Sequence, residues 1–165
     1  MTRLQCPLKS NRSGIISVKC WMENSNSFSM DVMTGSMQIL KLMGISQLRL
    51  HNSLMKNTMN LKGIRLDICQ MLSSSSRPSV QTFLYKGITG TQNNLPKKCP
   101  FRQNFMYSLH HMTFDANYLP NYLPEYNYTF IGNFYAGSVN SFQVHVDGSF
   151  CSIGNDCTGR ANNTK

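Results

Sequence analysis

The sequence predicts an antiparallel β-sandwich, with a closed barrel as the alternative, and three observations carry that expectation. Apolar side chains recur at every second position in several short stretches, the repeat of a strand with one wet face. Clusters of Gly, Asn, Asp and Ser separate the stretches, as turns separate short strands. Helical spacing shows in one place alone, so sheets rather than helices have to enclose the core.

The elements follow in chain order. GIISVKCWM (14–22), NSFSMDVM (26–33) and SMQILKLMGISQLRLH (36–51) are rich in Ile, Val, Leu and Met with polar interruptions and read as strands. GIRLDICQML (63–72) alternates Ile64, Leu66 and Ile68 with Arg65 and Asp67, which predicts a strand running through Ile68. After the Ser73 to Ser76 run, RPSVQTFLYKGI sets Val80, Phe83 and Leu84 at helical spacing between Pro78 and Gly87, and predicts one short helix near 78–87. NFMYSLHHM (104–112) alternates Phe105, Tyr107 and Leu109 as a further strand. NYLPNYLPEYNY (117–128) repeats Tyr-Leu-Pro, and proline has no amide hydrogen for a ladder, so an edge or a connection is expected there. NYTFIGNFYAG (127–137) is an aromatic strand with Gly132 at a bulge. SFQVHVDGSF (141–150) sets Phe142, Val144 and Val146 against Gln143, His145 and Asp147, and Asp147-Gly148 offers a turn. Beyond Cys151 no periodicity remains. One sandwich domain is therefore expected over 4–150, with a polar tail over 151–165.

Composition bounds the function. At 165 residues, 41% hydrophobic, with 9 Phe and 7 Tyr, the chain can build one core. Charged residues make up only 14%, against about 25% in an ordinary soluble domain. Asn, Ser and Thr supply the polarity instead, which suits an extracellular or glycosylated surface. The net charge of +9 attracts polyanions, but Lys97 and Lys98 form the only adjacent basic pair, so no nucleic-acid partner is expected. No apolar stretch approaches the roughly 20 residues of a membrane-spanning helix. The start, MTRLQC, lacks the apolar run of a signal peptide.

Six cysteines, Cys6, Cys20, Cys69, Cys99, Cys151 and Cys157, are even in number, widely spaced and without a C-x2-C pair, so disulfides are the leading reading. The sequons at Asn11, Asn127 and Asn162 agree with an oxidising, extracellular location and glycosylation. Cys99, in LPKKCPF, could still be a thiolate activated by Lys97 and Lys98, a metal ligand or half of a disulfide.

Catalytic constellations are missing from the pattern. None of His51, His110, His111 and His145 accompanies a nucleophile turn. The seven carboxylates are dispersed, and no glycine loop cradles phosphate. His110 and His111 are neighbours, which on a regular strand face opposite ways, so a metal site is not expected. A non-enzymatic protein without cofactor is the resulting expectation. The facing stripes Ile64, Leu66, Ile68 and Phe142, Val144, Val146 suit either a packed core or the wall of an apolar ligand site. The 11 methionines suit adaptable apolar surfaces.

Four stretches in order, LDICQML, LYKGITG, KKCPF and YLPNYLPEYNYTF, resemble the insect CheB-related secreted proteins and the large group known only as a domain of unknown function. That group is similar to the lipid-recognition (ML) proteins, such as the ganglioside activator. The pattern is an aspartate and cysteine on a strand (Asp67, Cys69), a basic or polar residue before Cys-Pro-aromatic (Lys98-Cys99-Pro100-Phe101), and a Pro-x-Gly-x-Tyr motif opening an aromatic strand. Here the last reads Pro124-Glu125-Tyr126-Asn127-Tyr128, with Tyr126 in the place of glycine. The resemblance covers roughly residues 4 to 150. Members begin with a signal peptide, so this chain is expected to start near the mature N-terminus.

The resemblance implies an immunoglobulin-like sandwich whose two sheets part enough to admit an apolar ligand. It implies that Cys69 pairs with Cys99, and a bridge from Cys6 to Cys151 or Cys157 would match the first-to-last link of similar folds. The expected function is a secreted protein holding a lipid or hydrocarbon-like molecule, in chemosensory or pheromone-related tissue. Phe105, Tyr107, Phe130, Phe142, Val144 and Val146 are the expected walls. The alternative is an extracellular interaction module with a solid core that contacts a receptor or another secreted protein.

Overall fold

The computed structural model describes residues 1–52, 57–73, 91–113 and 126–150. Along the chain run β1 (Arg3–Gln5), β2 (Ile15–Met22), β3 (Ser27–Thr34), β4 (Leu42–Asn52), β5 (Asn57–Asp67), α1 (Ile68–Ser73), β6 (Gln92–Asn93), β7 (Met106–Thr113), β8 (Tyr126–Ala136) and β9 (Val139–Phe150). They form an all-β sandwich of two antiparallel sheets, ordered β1-β9-β8-β4-β5 and β2-β3-β7-β6.

Alternation decides which side chains meet between the sheets. In β9, Phe142, Val144 and Val146 are buried, while Gln143, His145 and Asp147 are half-buried. Register sets Val144 opposite Gly132 and Gly132 opposite Ser46; in the next row Phe142 faces Phe134, which faces Gly44. The other sheet contributes Phe28, Met30 and Val32 of β3 with Tyr107, Leu109 and Met112 of β7. Burial of such side chains contributes roughly 1.5–3 kcal/mol each.

The structure departs from the sequence expectations at several points. The stripes Ile64, Leu66, Ile68 and Phe142, Val144, Val146 do not face each other across the sandwich: β5 and β9 belong to one sheet, Ile68 lies in α1, and it is β3 and β7 of the other sheet that face Phe142 and Val144. The strand through Ile68 stops at Asp67, whose carboxylate accepts the Gln70 N–H at 2.9 Å and opens α1. Asp67-x-x-Gln70 is a helix N-terminus signal, and satisfying that backbone donor outweighs continued alternation. The predicted turn at Asp147-Gly148 is instead paired strand, with Gly148 opposite Tyr128. The glycine is there for space: a Cβ would lie 2.5 Å from the Tyr128 hydroxyl. Gly132 holds regular register, and the irregularity of β8 falls between Phe134 and Tyr135. A Cβ at Gly132 would approach the Phe130 and Phe134 rings to 3.1–3.2 Å, so it is ring packing that requires glycine there. The helix expected near 78–87, the Tyr-Leu-Pro segment up to residue 125, and the tail over 151–165 lie outside the described residues.

Among the described residues two disulfides join the layers. Cys69 of α1 bonds Cys99 with a Cα separation of 5.5 Å, and Cys6 bonds Cys20 with one of 6.0 Å. Cys6 therefore does not pair with Cys151 or Cys157; the position of β1 beside β9 brings it over β2 instead. Cys6 follows edge strand β1 and Cys20 sits in edge strand β2, while Cys69 follows edge strand β5 and Cys99 follows edge strand β6. Each bridge ties one sheet to the other, at opposite flanks of the sandwich.

Candidate functional site

The packing of the two sheets leaves a cavity of about 140 Å³. From β3 come Phe28, Met30, Val32 and Thr34; from β7, Tyr107, Leu109 and Met112; from β8 and β9, Phe130, Phe134, Phe142 and Val144. Leu42, Leu66, Ile68 and Met71 close the side of β4, β5 and α1, and Leu95 and Phe101 the side of the chain before β7. Most of these residues are buried. Met71, Leu95, Phe130 and Phe134 are half-buried and stand nearest to solvent among the lining.

The walls are held by specific local contacts. Phe134 stacks on Phe142 with ring centroids 4.5 Å apart and planes 6° from parallel. Phe101 meets Tyr107 edge to face at 5.2 Å, and its N–H donates to the Ile39 carbonyl at 3.1 Å. The Cys69–Cys99 bond fastens α1, which supplies Ile68 and Met71, to the segment that supplies Leu95 and Phe101.

Among the described residues only two lining side chains, Thr34 and Tyr107, carry oxygen or nitrogen, and both serve the backbone of 102–105. Thr34 Oγ1 donates to the Arg102 carbonyl at 2.7 Å and accepts the Phe105 N–H at 3.0 Å. The Tyr107 hydroxyl accepts the Arg102 N–H at 2.8 Å. The surface facing the void is apolar, and a space lined in this way stays dry unless an apolar guest fills it.

Of the residues expected to form walls, Tyr107, Phe130, Phe142 and Val144 line the cavity. Val146 is buried in the core but not in the lining. Phe105 also stands outside it, packed against Tyr107 with centroids 4.8 Å apart and the Arg102 guanidinium 5.6 Å over its ring. Sequence reasoning missed the β3 contribution and the Leu95 and Met71 flank. NSFSMDVM held the first signal in its Phe28, Met30, Val32 alternation; the second depends on a bridge that alternation cannot reveal.

Away from the cavity, Cys99 is bonded to Cys69 and is therefore neither a thiolate nor a metal ligand. Among the described residues no cysteine is free, and no group of three or more His, Cys, Asp or Glu is placed to hold a metal ion. A bulge changes the expected geometry of His110 and His111. Both stand opposite Ser29, with His111 at φ 58°, so their rings come within 6.5 Å of each other. His110 Nε2 lies 3.1 Å from Asp31. Nearby, hydrogen bonds from Ser29 and then Trp21, with the charges of His111 and His110, hold the Glu23 carboxyl below its ordinary value. Of the sequons, Asn11 and Asn127 are exposed, while Asn162 lies outside the described residues. Among the described residues no helix is long and apolar enough to cross a membrane.

Compared with known protein families, residues 45–130 match the one described as "Protein of unknown function (DUF1091)". That span runs from within β4 to within β8 and includes the Cys69–Cys99 bridge. No curated protein matches the chain.

Proposed function

Since the chain belongs to this family of unknown function, DUF1091, we propose a function from its interior: a secreted, non-enzymatic protein that carries a lipid or hydrocarbon-like molecule between its sheets. The observation that carries this reading is the void itself, about 140 Å³ with apolar walls drawn from both layers. Binding would be driven by burial, at about 0.8 kcal/mol for each methylene removed from water. Export is supported by two disulfides and by exposed sequons at Asn11 and Asn127, proposed here as glycan acceptors together with Asn162. The motif resemblance to CheB-related and ML proteins is part of the proposal, and a chemosensory or pheromone-related setting comes only with that kinship.

The test is to express the disulfide-bonded protein in a secreting host, extract it with organic solvent before and after exposure to fatty acids and hydrocarbons, and weigh the intact complex by native mass spectrometry. About one apolar molecule per chain is expected. A chain that stays empty under every condition refutes the reading.

One observation favours a second reading. Sites for drug-sized ligands usually measure about 300–1,000 Å³, and this cavity is smaller. An extracellular interaction module, working by its outer faces against a receptor or another secreted protein, would tolerate such a packing defect and bind no guest.

A further inference from the structure

We propose that the cavity discriminates by charge, accepting neutral guests of about ring size and rejecting ionised ones; this rests on the reading of the void as a ligand site. The sign of the surface argues otherwise at first sight. A chain of net charge +9 gathers anions around it, and carboxylates would be the obvious cargo. The interior reverses that preference. Among the described residues no Asp, Glu, Lys, Arg or His lines the void, so an entering carboxylate would meet no counter-ion from them. The nearby guanidinium of Arg102 lies over Phe105, outside the lining. Nor does the lining offer an N–H cradle: Thr34 and the Tyr107 hydroxyl are engaged with the backbone of residues 102–105. An ion stripped of water without a partner is strongly disfavoured against its hydrated form.

Size sets the second limit. A protein cavity of about 150 Å³ lined by Leu, Ile and Phe is known to stay dry and to take benzene, and the volume here, about 140 Å³, is nearly the same. A longer amphiphile could place only an uncharged segment of that bulk inside and would have to leave its head group in water.

Methionine methyl groups give a direct readout. Met30, Met71 and Met112 line the cavity, while Met22, Met37, Met59 and Met106 are exposed. With methyl-13C methionine in the intact, oxidised protein, and signals assigned through variants such as Met30→Leu, benzene and benzoate are titrated separately at neutral pH. Benzene should shift the lining methyls saturably and leave the exposed ones in place. Benzoate should bind at least about 100-fold more weakly, and acidification to neutral benzoic acid should restore binding. If benzoate moves the same methyls with an affinity within about threefold of benzene's, charge discrimination is overturned while the ligand site stands. If neither compound moves them, the ligand site itself is refuted and the inference falls with it.

Discussion

At Gly148 a hydrogen in place of a side chain decides where Tyr128 lies. The ring covers the paired strand so closely that a Cβ would sit 2.5 Å from its hydroxyl. Burial, and then the charge of Asp147, raise the pKa of that hydroxyl above its ordinary value of 10.0. The sign follows from linkage. The unfolded chain releases this proton near pH 10 and the folded chain holds it longer, so above pH 10 the unfolded state gains and stability declines. In a series of urea midpoints against pH, Tyr128→Phe should flatten part of that alkaline decline and leave the neutral plateau unbent. This residue also marks a boundary of what the sequence could tell. The alternation of Phe142, Val144 and Val146 was readable because it is local. Asp147-Gly148 has the local chemistry of a turn, and only its pairing with Thr129 and Tyr128 of β8 makes it strand.

Among the elements, those with a long period were legible and those decided by one contact were not. β2, β3, β4, β7, β8 and β9 all fall on stretches read as strands. β1 and β6 are too short to show a repeat, and the outer half of β5, Asn57–Leu61, is exposed on both faces and so shows no burial pattern. α1 was written in the sequence as Asp67-x-x-Gln70, a cap that the stronger alternation around it concealed. Its bridge supplies a prediction at this scale. Replacing both Cys69 and Cys99 by Ser opens a loop of sequence separation 30 and should cost roughly 3–4 kcal/mol in urea unfolding. It should also weaken benzene binding, because α1 and the segment before β7 both line the cavity. The Cys6→Ser/Cys20→Ser pair, of separation 14, should cost about 3 kcal/mol and leave binding unchanged.

For the molecule as a whole, alternation gives two layers but not the fit between them. Whether facing stripes fill the gap depends on the summed shapes of both sheets and on ring positions set by glycines such as Gly44 and Gly132. That is why four of the six expected wall residues line the void and two do not. Two neighbours on one strand test the distinction. Val144 borders the cavity and Val146 does not, though both are buried. Val144→Leu should place its extra carbon in empty space, holding stability within about 0.8 kcal/mol of the parent while weakening guest binding. Val146→Leu should overpack a filled region and lose about 1–3 kcal/mol, with binding little changed. Thermal unfolding and the methyl titration read both.

The sulfur links at opposite flanks have a kinetic consequence. With both sides riveted, the layers cannot swing apart like a book to load or unload. Among the described residues, passage of the proposed guest would then fall to the half-buried side chains of Met71, Leu95, Phe130 and Phe134, whose rotations need no hinge. Exchange should keep the tempo of side-chain hopping rather than that of domain opening, and chemical reduction should change that tempo before it dissolves the fold.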